Sequence, residues 1–140
     1  ERTAEEIKIK IGNALLIDQQ ETQKMKIKGQ DLLTGLPKEI SIIDKQINEA
    51  MQPTLKIITE AIKDSIELVP ASLTADIYER GIVLSGGSSL LKNLDKLISQ
   101  QCGVPVHLID DPATAVIRGL GYIIEDFDNL KNVIVPSARD

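Results

Sequence analysis

Between Gly81 and Leu108 the sequence changes periodicity twice, and no other stretch constrains the fold as tightly. Ile82-Val83-Leu84 is an unbroken apolar run, the pattern of a strand buried on both faces. Ser85-Gly86-Gly87-Ser88-Ser89 interrupts it. Leu90, Leu91, Leu94, Leu97 and Ile98 then recur at helical spacing up to Gly103, and Val104-Pro105-Val106-His107-Leu108 reads as a second strand. Strand, glycine loop, helix and strand in that order make parallel neighbours joined by a right-handed crossover, which places the chain in the α/β class. The loop stands at the carboxyl edge of the first strand, where free amides and the positive end of the following helix suit a phosphate or a ribose. A plain tight turn with serine caps explains the same residues, because neither GxGxxG nor GxxxxGKS is present.

Thr3-Ala4-Glu5-Glu6 has capping-box spacing and predicts a helix that ends at Gly12. Ile7-Lys8-Ile9-Lys10-Ile11 alternates like a strand, but the cap ahead of it and Gly12 behind it favour the helix. Lys24-Met25-Lys26-Ile27-Lys28 and Glu39-Ile40-Ser41-Ile42 alternate polar and apolar around a turn containing Gly29 and Thr34-Gly35-Leu36-Pro37, the signature of an antiparallel ribbon. From Asp44 as N-cap a helix is predicted to Glu67, with Leu55, Ile58, Ile62 and Ile66 on its apolar face and Pro53 kinking or restarting it. A short helix capped by Ser72 should end at Gly81. Asp111 as N-cap with Pro112 behind it predicts a last helix to about Glu125. Gly119 and Gly121 inside that helix weaken it, which implies a close packing partner. From Asp126 onward the signals are weak.

A length of 140 residues fits one compact unit or two small ones. Only 2% of residues are aromatic and the formal charge is -5, so stacking on single strands and binding to phosphate backbones are both disfavoured, and no nucleic-acid partner is expected. Cys102 and His107 are each the single residue of their kind, which excludes an intramolecular disulfide and a structural zinc tetrad and fits an intracellular setting. His107 in an apolar strand reads as a packed side chain and Cys102 as an inert thiol. Asp110-Asp111 has the look of a carboxylate dyad, but a helix cap accounts for Asp111. No apolar run reaches the length of a membrane span, and the polar start is no signal peptide. The first residue is Glu1 and not Met, as expected of a piece of a longer protein.

Arg80-Gly81-Ile82-Val83-Leu84-Ser85-Gly86-Gly87-Ser88-Ser89-Leu90-Leu91 resembles the adenosine motif of the actin-like ATPases, and within that superfamily it is similar to the MreB family of bacterial cell-shape actins. Glu1 to Gly12, Asp31-Leu32-Leu33-Thr34-Gly35-Leu36-Pro37 and Asp111-Pro112-Ala113-Thr114-Ala115-Val116 resemble further family blocks in the same order and spacing. The resemblance covers residues 1 to about 125 and corresponds to the family's C-terminal half, domain II. It implies an actin-like ATPase domain II: a ribonuclease H-like lobe IIA (about 1–20 and 68–140) carrying a small α+β subdomain IIB inserted at about 21–67.

Carried over residue by residue, the resemblance implies that Glu5 and Lys8 flank the adenosine and that Gly86, Gly87 and Ser88 pass beneath the ribose and α-phosphate. Glu5 and Lys8 are three apart on one helical face, so they can address one ligand edge; a solvated ion pair worth under about 1 kcal/mol explains them equally. Family members often have a third glycine or a threonine in the loop where this chain has Ser85 and Ser88, so the resemblance fixes loop position more firmly than loop contacts. ATP or ADP with magnesium is the implied cofactor of the whole protein. Its phosphate loops, magnesium acids and water-activating carboxylate belong to the other lobe, so this chain alone should not hydrolyse ATP. Implied partners are filament neighbours of the same kind, a membrane-anchored shape protein of the RodZ type and the wall-synthesis machinery, at the cytoplasmic face of the inner membrane. A heat-shock-type chaperone ATPase is the alternative with the same loop, although Ile9 stands where chaperones have a basic residue. A pure interaction module is the third reading.

Overall fold

The computed structural model of the protein describes residues 1–17 and 21–133. The first side of the subdomain boundary, expected at about residue 20, and the end of the tail lie outside the described residues. Helix α1 (Arg2–Ile11) starts with Glu1 as its N-cap residue, so the expected capping box does not form. Thr3 lies inside the helix, and the Glu6 carboxylate pairs with Arg2 at 3.5 Å instead of turning back.

Strands β1 (Lys24–Gln30) and β2 (Pro37–Ile43) form the expected antiparallel ribbon, from Lys24 opposite Ile43 to Gln30 opposite Pro37. Half-buried Met25 and Ile27 alternate with exposed Lys24, Lys26 and Lys28, the period-two pattern of a ribbon with one covered face. Helix α2 (Asp44–Glu67) follows directly. Its N-cap residue is Ile43, whose amide donates to Gln46 Oε1 at 3.0 Å, and not Asp44. Asp44 is buried and accepts from the Gln23 and Lys45 amides, which ties the chain ahead of β1 to the helix start. Pro53 neither ends nor restarts α2; the helix runs on through it because its buried face holds it on both sides of the missing hydrogen bond. That face carries Asn48, Leu55 and Thr59, while Ile58 turns outward. Helix α3 (Ala71–Arg80) takes Pro70 as its N-cap residue, so Ser72 lies within it and caps nothing.

Strand β3 (Ile82–Leu84) pairs in parallel with β4 (Val106–Leu108), Val83 opposite His107, as the alternation requires. Helix α4 (Leu94–Cys102) lies between them in sequence and ends on Gly103 in the left-handed region. Ala14, Leu55, Leu94, Leu97 and Ile98 form the core, with Ile82, Leu84 and Val106 packed against it. Truncating Leu97 or Ile98 to alanine there should cost about 2–5 kcal/mol. Burial of β3 on both faces is not found. Ile82 and Leu84 face the core, but Val83 is 61% exposed because no described element covers the outer face.

Helix α5 (Ala115–Glu125) begins after Thr114, not at Asp111. Asp111 adopts φ +46, its carbonyl accepts from the Thr114 amide, and its carboxylate contacts the Thr114 hydroxyl, so the segment closes a turn before the helix can begin. A methyl group at Gly119 or Gly121 would meet nothing within 4 Å, so the close partner expected at those glycines is absent among the described residues. Val116, Ile117, Leu120 and Ile124 are exposed along α5. A short α6 (Phe127–Leu130) closes the described chain, apart from one 3-10 turn.

Candidate functional site

A cleft of about 530 Å³ opens between α1 and the loop that follows β3. Helical periodicity puts Glu5, Lys8, Ile9 and Gly12 on one face of α1, and that face forms one wall. Gly87, Ser88, Leu90, Leu91 and Lys92 form the other. Lys8 Nζ lies 2.7 Å from Glu5 Oε2, both side chains being about half exposed. A pair in that setting is weak enough to open for a ligand at little cost. Lys10 and Lys92 also line the cleft, so among the described residues one carboxylate, Glu5, shares the lining with three lysines, an excess of positive charge suited to a phosphate ester.

Of the five residues singled out from sequence, Glu5, Lys8, Gly87 and Ser88 meet in this cleft. Gly86 stands behind it. Its φ of +84 with ψ 162 is open to glycine alone, its amide donates to Pro112 O at 2.8 Å, and its carbonyl accepts from Ser89 Oγ at 2.6 Å. Gly87 has no such backbone constraint, and a methyl group there would meet nothing within 4 Å. Its lack of a side chain leaves open space on the cleft wall.

The helix expected directly after the glycines is displaced. Gly87–Leu90 is a single 3-10 turn, and α4 begins only after Asn93, so no α-helix N-terminus faces the cleft from this loop. The break is caused by Asn93, held at φ 58. Its side chain donates to Asn13 Oδ1 at 2.9 Å and to Leu15 O at 3.1 Å. Asn48, from the buried face of α2, donates to Asn13 O at 2.7 Å and Ala14 O at 3.0 Å. The Ala14 amide donates to Lys92 O at 2.8 Å. These three buried asparagines fasten the end of α1 to both α2 and the loop, and so fix the spacing of the cleft walls. Sequence reasoning passed over them. The available signal was Asn48, which falls in step with Met51, Leu55 and Ile62 on the apolar face of α2.

The other candidates reduce to structure. Asp110 and Asp111 use their backbone carbonyls to receive Arg118, and no group of acids, histidine and cysteine able to hold a metal occurs among the described residues. His107 is exposed on the open face of the small sheet and not packed, contrary to the expectation for it. Cys102 packs at the core margin, where burial pushes its thiol up from its ordinary value against the opposing charge of Lys63. Among the described residues no helix is long and apolar enough to cross a membrane.

The sequence profile of the MreB/Mbl protein family matches residues 1–132. The chain belongs to the MreB/Mbl family. It is 37% identical over 130 residues to the cell shape-determining protein Mbl of Bacillus cereus, covering 93% of this chain and 38% of that protein. It is 41% identical over 128 residues to the cell shape-determining protein MreB of Escherichia coli, covering 91% and 36%. The crystal structure of MreB5 of Spiroplasma citri bound to ADP superposes with a TM-score of 0.84 at 30% identity, over 94% of this chain and 40% of that one. The AMPPNP-bound structure of the same protein gives 0.84 at 29%. The fold is therefore α/β and actin-like, and the MreB/Mbl chain spans less than two fifths of the curated relatives it matches. The heat-shock-type alternative receives no support from these likenesses.

Proposed function

We propose that this chain is the C-terminal lobe of a longer MreB/Mbl-family protein that binds ATP or ADP between two lobes and polymerises into membrane-associated filaments guiding cell-wall synthesis and rod shape. The observation that carries this is the meeting of Glu5 and Lys8 with Gly87 and Ser88 in one cleft. In this reading Glu5 and Lys8 flank the adenosine, and Gly87 and Ser88, held from behind by Gly86, run beneath the ribose and α-phosphate. The ADP and AMPPNP named for the Spiroplasma relative support the ligand class. Magnesium does not fit this cleft, which offers one carboxylate already paired with Lys8. Metal ligands and the water-activating acid would come from the other lobe, so the isolated chain should release no phosphate from ATP.

The lobe itself divides into IIA (about 1–20 and 68–140) and a IIB insertion (about 21–67) that comprises the ribbon and α2. A second lobe packed on α5 would cover its exposed apolar side chains. Neighbouring subunits, a RodZ-type membrane anchor and the wall-synthesis machinery are the partners of this reading, at the cytoplasmic face of the membrane.

Gly87→Val in the two-lobed protein tests it. Gly87 is unstrained and its surroundings are open, so valine should leave the ligand-free melting temperature nearly unchanged. It should abolish the stabilisation by ATP, about 2.7 kcal/mol at a hundredfold excess over the dissociation constant. A variant that keeps the full ATP shift would show the glycines to be only a turn.

A further inference from the structure

Pro53 sits in mid-course of α2 and has no amide hydrogen, so the Glu49 carbonyl one turn earlier loses its helical donor. Both residues line a second cavity, of about 490 Å³, between α2 and α4 and apart from the cleft of Glu5 and Lys8. Its floor is made by buried Leu55, Thr59 and Leu97. The near end of its α2 wall is rich in acceptors. Among the described residues no cationic side chain lies within 4.0 Å of the Glu49 carboxylate. Gln52 spends its Nε2 on Asn48 Oδ1 at 3.1 Å, which leaves its carbonyl oxygen to accept. The Thr59 hydroxyl donates to Lys56 O at 3.0 Å, so its oxygen too is left to accept. The far end carries the donors. Gln101 Oε1 takes Lys63 Nζ at 3.2 Å, which leaves the Gln101 amide hydrogens, and the Lys56 ammonium is offset by Glu60 at 3.7 Å. Glu49 and Lys56, seven residues apart on one helical face, set the two ends about 10 Å apart.

We propose that this cavity binds an arginine. The guanidinium takes the Glu49 carboxylate, the Glu49 carbonyl and the Gln52 carbonyl oxygen, the methylene stem covers Leu55 and Leu97, and the main-chain carbonyl turns toward the Gln101 amide. Acceptors that converge from one carboxylate and two carbonyls suit a planar fork of five N–H donors, which serves several of them at once. An ammonium is a compact, strongly hydrated point and serves them less well. The same acceptors disfavour an anion at that end. The arrangement depends on Pro53, because any other residue at that position supplies an amide that occupies the Glu49 carbonyl within the helix. The volume falls in the range of ordinary small-ligand pockets.

The test titrates the 140-residue chain, without nucleotide, with L-arginine and with N-acetyl-Ala-Arg-Ala amide while amide NMR resonances are followed. At about 10 mM, nearly saturating for a millimolar ligand, both probes should shift resonances of 49–59 and 97–101. The tighter probe identifies the source, the free amino acid or an arginine carried on a polypeptide. Lysine, and citrulline as the uncharged analogue of the same shape, should bind at least about tenfold more weakly. Glu49→Gln should weaken arginine binding about tenfold with melting unchanged, since Glu49 is exposed. Pro53→Ala is the decisive variant. It returns a donor to the Glu49 carbonyl, so it should raise the melting temperature and still weaken arginine binding about fivefold. A proline merely tolerated by the helix predicts the same rise in melting temperature with binding intact, and that result would overturn the proposal. So would citrulline binding as well as arginine, or shifts that are absent or scattered over the chain.

Discussion

Asn93 Nδ2 donates a 2.9 Å hydrogen bond to Asn13 Oδ1 across 80 residues of sequence, with both residues buried. The bond joins the residues that directly follow Gly12 and Lys92, one on each wall of the cleft, and Asn93 takes a left-handed backbone to make it. Local turn, cleft width and the start of α4 therefore depend on one side chain.

Asn93→Ala should lower unfolding free energy by about 2–4 kcal/mol, combining the loss of two buried hydrogen bonds, to Asn13 Oδ1 and Leu15 O, with the cost of a left-handed alanine. Asn93→Gly removes the same hydrogen bonds without the backbone strain, so it should recover about 1 kcal/mol of that loss. Urea unfolding of both variants separates the two contributions. Equal destabilisation would mean that the backbone conformation matters little.

Gly81 links α3 to β3 at φ +73, and a methyl group there would lie 2.2 Å from Pro105 O, the acceptor of the Ile82 amide. Gly81→Ala should thus destabilise by more than about 3 kcal/mol, through backbone strain and displacement of β4. Gly119→Ala is the contrast. Its site is helical and open, and alanine should stabilise the isolated chain by about 0.5–1 kcal/mol. Thermal melts of the pair would show opposite shifts; two shifts of the same sign would refute the contrast.

The Lys38 ammonium, followed by the Thr34 and Leu33 amides, holds the Asp31 carboxyl below its ordinary value of 3.8. A depressed folded-state pKa contributes stability that is present above the unfolded value and is lost as pH falls through the folded one. The turn should therefore keep its order down to a pH below 3.8. The Leu33 and Thr34 amide resonances should titrate with a midpoint under that value, and Lys38→Ala should move the midpoint upward. A midpoint that ignores Lys38 would remove the ion pair from the account.

Burial raises the Cys102 thiol above its ordinary value of 9.0, and Lys63 opposes the shift. Alkylation at neutral pH should be much slower in the folded chain than in urea, and slower again in Lys63→Ala. Rates equal in folded and unfolded chain would contradict the packed position of the sulfur.

Periodicity alone determined the antiparallel ribbon, the long helix after it, and the parallel pairing of Ile82-Val83-Leu84 with Val106-His107-Leu108, because alternation and helical spacing are local properties that tertiary contacts here reinforce. Glu5, Lys8, Gly87 and Ser88 were visible through the resemblance of their motifs. Tertiary structure decided where helices begin. Asn93 and Asp111 are left-handed because of bonds to Asn13, Leu15 and Thr114, and those bonds moved α4 and α5 away from the positions their caps announced. It also decided which side of α2 is buried, Thr59 and not Ile58, and left Val83 in solvent. A helix start or a buried face is settled by the partner that satisfies its polar groups and covers its apolar ones; for Asn93 those partners lie 78 and 80 residues away, whereas for Asp111 the partner is Thr114, three residues on.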